Sequence, residues 1–132
     1  MQLLRLAKIL HEHASIMISK ALQKDISSCS FWDKRAIPLL LPPNNVERNE
    51  PLSTLHKLDK TNVVTAIMGQ RRCGKSIVVR QYIEFLWRND IPHSNILYAN
   101  FFLKPLAELK QEETFNQVIA WWFETQVDLN QP

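Results

Sequence analysis

Glycine occurs only twice in these 132 residues, and both glycines fall in one octapeptide, Gly69-Gln-Arg-Arg-Cys-Gly-Lys-Ser76. Glycine reaches backbone torsions that other residues avoid, and both glycines of the chain stand where a phosphate loop needs them. The octapeptide meets the pattern G-x-x-x-x-G-K-[ST] at every fixed position, which a random chain of this length does on the order of once in a few hundred. Its flanks agree with it. Val63-Val-Thr-Ala-Ile-Met68 is a β-branched, nearly continuous apolar run and predicts a strand buried on both faces of a parallel sheet. After the octapeptide, Val78, Val79, Tyr82, Ile83, Leu86 and Trp87 share one side of a helix over 76–88, which Asn89-Asp90-Ile91-Pro92 closes.

Each fixed residue type in the loop has a physical task. Gly69 turns the chain out of the strand, and Gly74 lets the backbone approach a β-phosphate. Between them Gln70, Arg71, Arg72 and Cys73 carry successive N–H groups around an anion nest. Lys75 reaches the β- and γ-oxygens as a point charge, and the helix that follows adds the positive end of its dipole. Ser76 offers a hydroxyl to Mg²⁺, an ion that keeps most of its other ligands as water and phosphate oxygen. The binding site expected is therefore Gly69, Gln70, Arg71, Arg72, Cys73, Gly74, Lys75 and Ser76, with Ser76 as the metal contact. Its ligand is a nucleoside triphosphate with magnesium. Arg71 and Arg72 read as solvated loop arginines or partners for nearby acids, and Cys73 as a residue small enough for the loop.

The rest of the chain supports an alternating architecture. Leu3, Leu6, Leu10, Ala14, Met17, Ile18 and Ala21 recur at mostly three- and four-residue steps and predict a helix from Leu3 to about Lys24. Pro38, Pro42, Pro43 and Pro51, with Asn44-Asn45, predict an extended connector. A short helix around Leu52–Leu58 and a turn at Asp59–Asn62 follow. Ile96-Leu-Tyr-Ala-Asn-Phe101 reads as a second strand, and Phe115, Val118, Ile119 and Trp122 mark a helix between about Glu112 and Val127. Strand, helix, strand, helix is the order of an α/β protein with a right-handed crossover. His11 and His13 point to different sides of a helix, and His56 and His93 have no neighbours of ligand type, so no metal site is expected there.

The string Ile67-Met-Gly-Gln-Arg-Arg-Cys-Gly-Lys-Ser76, with Asn95-Ile-Leu-Tyr-Ala-Asn100 after it, resembles the phosphate loop and second strand of a group of bacterial and archaeal AAA-type P-loop ATPases. The likeness covers roughly residues 63–109. It implies a P-loop NTPase three-layer α/β core, incomplete here and preceded by an N-terminal helix. It also implies ATP and Mg²⁺ as ligands. Such enzymes use a strand ending in Asp-Glu to support the metal and activate water. Here Phe101-Phe-Leu-Lys104 follows the second strand, and none of Glu108, Glu112, Glu113, Glu124 and Asp128 follows a four-residue aliphatic run. The expectation is thus an N-terminal part of a larger ATPase, with residues 1–36 as a helical segment, 37–51 as the connector and 52–132 as a partial ATPase domain. It binds ATP without hydrolysing it alone, and its partners are a second copy or a missing C-terminal portion. A small P-loop kinase and a non-catalytic interaction module are the alternatives, and no catalytic residue is assigned.

Composition narrows the remaining classes. A formal charge of +3, with 45% hydrophobic and 22% charged residues, is ordinary for a globular domain and does not indicate a nucleic-acid binder. No run approaches the roughly 18 apolar residues of a membrane span. Arg5 and Lys8 interrupt the apolar N-terminus, so no secretory leader is expected. Cys29 and Cys73 form neither a disulfide framework nor a metal spacing, and the expected setting is cytoplasmic.

Overall fold

The computed structural model describes residues 18–32 and 40–130. Among them the regular elements are helical: α1 (Lys20–Cys29), α2 (Asn49–Asp59), α3 (Lys75–Arg88) and α4 (Glu112–Thr125), with 3-10 turns at His93–Asn95 and Lys104–Lys110. No strand forms among the described residues. The expected three-layer α/β core is therefore corrected. Val63–Met68 and Ile96–Asn100 carry no regular element and Phe101 lies in a turn; neither segment pairs with a strand among the described residues, and each has its own reason.

The segment Val63–Met68 is exposed along its length. Val64 is 101% exposed and Met68 89%. An open cavity of about 330 Å³ lies among Leu55 and Leu58 of α2, Val78 of α3, and Thr65 to Ile67. The apolar run therefore passes its helices without closing a core against them. A β-rich composition raises the tendency to pair, but a ladder needs a partner strand to accept its N–H groups.

Residues 96–101 are instead tied down by side chains. Trp32 Nε1 donates to the Ile96 carbonyl at 2.7 Å, and Ser30 Oγ donates to the Tyr98 carbonyl at 2.9 Å. The Ser30 hydroxyl also lies 3.3 Å from the Tyr98 N–H. These bonds occupy backbone groups that a neighbouring strand would otherwise take.

The chain divides into two compact units, one drawn from Met1–Ile37 with Pro92–Pro132, the other Pro38–Ile91. In the first, Leu22 and Ile26 of α1 pack with Leu106, Leu109, Val118 and Trp121. Burying Ile26, Leu106 and Val118, at most 1% exposed, contributes about 1.5–3 kcal/mol each. Ser19 starts α1 by accepting from the Leu22 N–H at 3.2 Å, the usual way a serine ends the preceding chain and opens a helix. The helix expected over Leu3 to about Lys24 thus differs at its described end: α1 begins after Ser19 and continues to Cys29. Residues 3–17 lie outside the described residues. Phe31 then reverses the chain with φ 60, strained for a non-glycine residue and held by a buried ring 5.8 Å from that of Tyr98.

In the second unit α2 packs on α3. The α2 helix begins three residues earlier than the proline pattern suggests. Pro51 sits in its first turn, where a missing N–H costs nothing because that group would lack a helical partner anyway. Tyr82 Oη joins the two helices by donating to Asp59 at 3.1 Å.

Candidate functional site

The octapeptide connects Val63–Met68 to α3 inside the second unit. Its conformation follows from two positive-φ residues, Arg72 at 64° and Gly74 at 91°. The Cys73 N–H closes a turn onto the Gln70 carbonyl at 3.3 Å. Gly74 is the residue before α3, in the left-handed region, and no side chain caps the helix. Its carbonyl accepts from the Val78 N–H at 3.1 Å. The N–H groups of Lys75, Ser76 and Ile77 stand ahead of that bond, in the turn where a helix leaves its donors without carbonyl partners.

The first turns of α2 and α4 carry Glu50, and Glu112 with Glu113, whereas those of α1 and α3 carry no acid. The α1 helix opens with Lys20 behind its Ser19 cap, but α3 has no side-chain cap. The α3 helix opens with Lys75, a cation at the positive end of a dipole, where it is destabilising by about 0.3–1 kcal/mol. The Lys75 ammonium folds back over the loop instead of into solvent. It donates to the Gly69 carbonyl at 2.8 Å and the Gln70 carbonyl at 2.6 Å, and lies 3.7 Å from Cys73 Sγ. An ammonium has three protons, and these two carbonyls use two of them.

The eight expected residues are thus brought into one loop and helix start, exposed from Gly69 to Cys73 and at Ser76, half-buried at Gly74 and Lys75. A Cβ at Gly69 would lie 2.9 Å from Cys73 Sγ, so the exposed thiol would have to turn aside. Arg71 and Arg72 are exposed. Lys75 carries positive charge and Ser76 a hydroxyl at the helix start, the donor types that a polyphosphate with Mg²⁺ would use, while the space beside the glycines is taken by Cys73 Sγ at Gly69 and by the Arg48 guanidinium at Gly74. Among the described residues no group of three or more His, Cys, Asp or Glu is placed to hold a metal. Magnesium held mainly by phosphate and water needs no such cage.

Two residues of this region, Gln81 and Arg48, are absent from the sequence reading. Gln81 of α3, 4% exposed, donates to Asn45 Oδ1 at 2.8 Å and the Val46 carbonyl at 2.7 Å. It also accepts from the Arg48 N–H at 3.3 Å. The Arg48 guanidinium reaches the loop and donates to the Cys73 carbonyl at 3.0 Å. Gln81 was visible in principle: it stands three residues after Val78 on the buried side of α3, where a polar residue requires partners. Arg48 carries no such periodic signal.

No family model matches the chain, and no solved structure matches it. An uncharacterized protein of Haemophilus influenzae is 34% identical to it over 74 residues, 56% of this chain. The matched stretch spans 18% of the length of that relative. No helix among the described residues is long and apolar enough to cross a membrane.

Proposed function

We propose that the chain binds ATP with Mg²⁺ through Gly69–Ser76. The carrying observation is the Lys75 ammonium, folded across the loop onto the Gly69 and Gln70 carbonyls at the start of an uncapped helix. A cation at that helix end opposes the dipole, and a polyphosphate beside it turns both charges to use. Lys75 and the N–H groups of the loop and first turn bind the phosphates, and Ser76 contributes its hydroxyl to the ion. Cys29 and Cys73 are free thiols, which suits a cytoplasmic setting rich in magnesium nucleotide.

Binding is expected without turnover by these 132 residues alone. Loop contacts stabilise the bound nucleotide, whereas hydrolysis needs an oriented water and charge stabilisation in the transition state. No aliphatic run in the sequence ends in Asp-Glu to supply them. The test is to measure Mg-ATP binding and steady-state phosphate release on the purified chain. Saturable binding with no release above buffer supports the reading. Lys75-dependent multiple turnover contradicts its second half, and absence of binding contradicts all of it.

A further inference from the structure

We infer that Arg48 is a positioning residue for the phosphate loop: its guanidinium holds the Cys73 carbonyl and so fixes the direction of the Gly74 N–H. The inference rests on the nucleotide reading above and goes beyond it, since Arg48 lies 21 positions ahead of Gly69 and outside the loop pattern.

The geometry runs from the peptide outward. In a trans peptide the carbonyl and the following N–H point in opposite directions. With Arg48 Nη1 donating to the Cys73 carbonyl at 3.0 Å, the Gly74 N–H is aimed away from the guanidinium. That is the N–H which the pattern assigns to the β-phosphate. Free rotation of this peptide would exchange its donor for its acceptor, and a carbonyl facing phosphate is repulsive. A charged donor on the outer side disfavours that flip.

Two further features fix the guanidinium. Its main chain is latched to the same helix that starts at the loop, through Gln81, which accepts from the Arg48 N–H and donates to Asn45 and Val46. Its head also lies against the bare face of Gly74, where a Cβ would stand 2.7 Å from Nη2 and 3.0 Å from Cζ. Glycine at position 74 therefore admits the arginine as well as the positive φ. The connector before α2 acts as a strap, tied to α3 at Gln81 and to the loop at Arg48.

The experiment is a fluorescence titration of ADP and ATP, each with Mg²⁺, on the wild-type chain and on Arg48→Ala, Arg48→Lys and Lys75→Ala, with melting temperatures alongside. The β-phosphate is common to both nucleotides. Arg48→Ala should therefore weaken both by the same factor, about three- to tenfold for one hydrogen bond, at unchanged melting temperature. Arg48→Lys, which keeps a charged donor, should recover part of the loss. Arg48→Ala binding as wild type while Lys75→Ala does not would overturn the inference and leave the nucleotide reading standing. A loss confined to ATP overturns it by placing Arg48 on the terminal phosphate. Equal losses with a lowered melting temperature and no recovery in Arg48→Lys overturn it in favour of a plain folding contact. A wild-type chain that binds neither nucleotide removes both readings.

Discussion

The Lys75 ammonium lies 2.6 Å from the carbonyl oxygen of Gln70, so the first residue of α3 grips the loop that precedes it. The loop is closed by this contact and by the left-handed torsion of Gly74, while Arg48 holds it from outside. Its shape follows from local torsions and a few hydrogen bonds, with no sheet beneath it among the described residues.

Gly74→Ala tests that closure. Its φ of 91° is costly for any residue with a Cβ, by roughly 1–2 kcal/mol. The new methyl would also stand 2.7 Å from Arg48 Nη2, and the guanidinium would have to leave the Cys73 carbonyl. The expected outcome is a lower melting temperature and a larger loss of Mg-ATP affinity than in Arg48→Ala, read by thermal denaturation and titration. Unchanged affinity in the folded variant would contradict the role given to this glycine.

The exposed run at 63–68 yields a prediction that separates the observed fold from the sheet its composition suggested. Val64 is fully exposed, so Val64→Lys should change stability by less than about 0.5 kcal/mol, as surface substitutions do. It should also reduce self-association, because exposed apolar segments with unpaired backbone groups drive edge-to-edge pairing. The measurements are denaturant unfolding and sedimentation. A loss of several kcal/mol would mean that Val64 is buried in the folded chain.

What was legible in the sequence was local. The helix after the loop and the one at Glu112 follow from apolar spacing, and Gly74 announces the end of the loop because its left-handed torsion favours glycine. That the two expected strands do not form among the described residues was not legible, because β-branched composition states only a willingness to pair. Whether a ladder forms depends on a second strand. At Tyr98 that place is taken by the Ser30 hydroxyl, 68 positions away in sequence. At Val64 it is taken by nothing among the described residues. The strap was hidden for a related reason: Arg48 meets Cys73 across 25 positions, and no spacing rule joins a connector arginine to a loop carbonyl. Only Gln81, polar on a buried helix side, hinted that something had to come and meet it.

The α2–α3 contact carries a pH dependence. Burial, then the charge of Asp59 and its hydrogen bond, push the Tyr82 phenol from its ordinary 10.0 up to about 12. The folded state thus favours the neutral phenol. Its contribution to stability is fully present below pH 10 and is lost as pH rises through about 12. Asp59→Asn should lower the phenolate midpoint, followed by ultraviolet absorbance, while the part due to burial remains. It should also flatten the fall in melting temperature over that alkaline window. Equal midpoints in the two proteins would show that Tyr82 does not meet Asp59.

The central claim is that Gly69–Ser76 holds a triphosphate, and Lys75→Ala addresses it most directly. Charge-assisted hydrogen bonds contribute roughly 1.5–3 kcal/mol, so removing this ammonium should weaken Mg-ATP about tenfold or more. The measurement is a fluorescence titration of wild type and Lys75→Ala with Mg-ATP, circular dichroism confirming that both chains are folded. The account expects saturable binding by the wild type and at least a tenfold weaker constant for the variant. Equal affinity in the two folded proteins would contradict it.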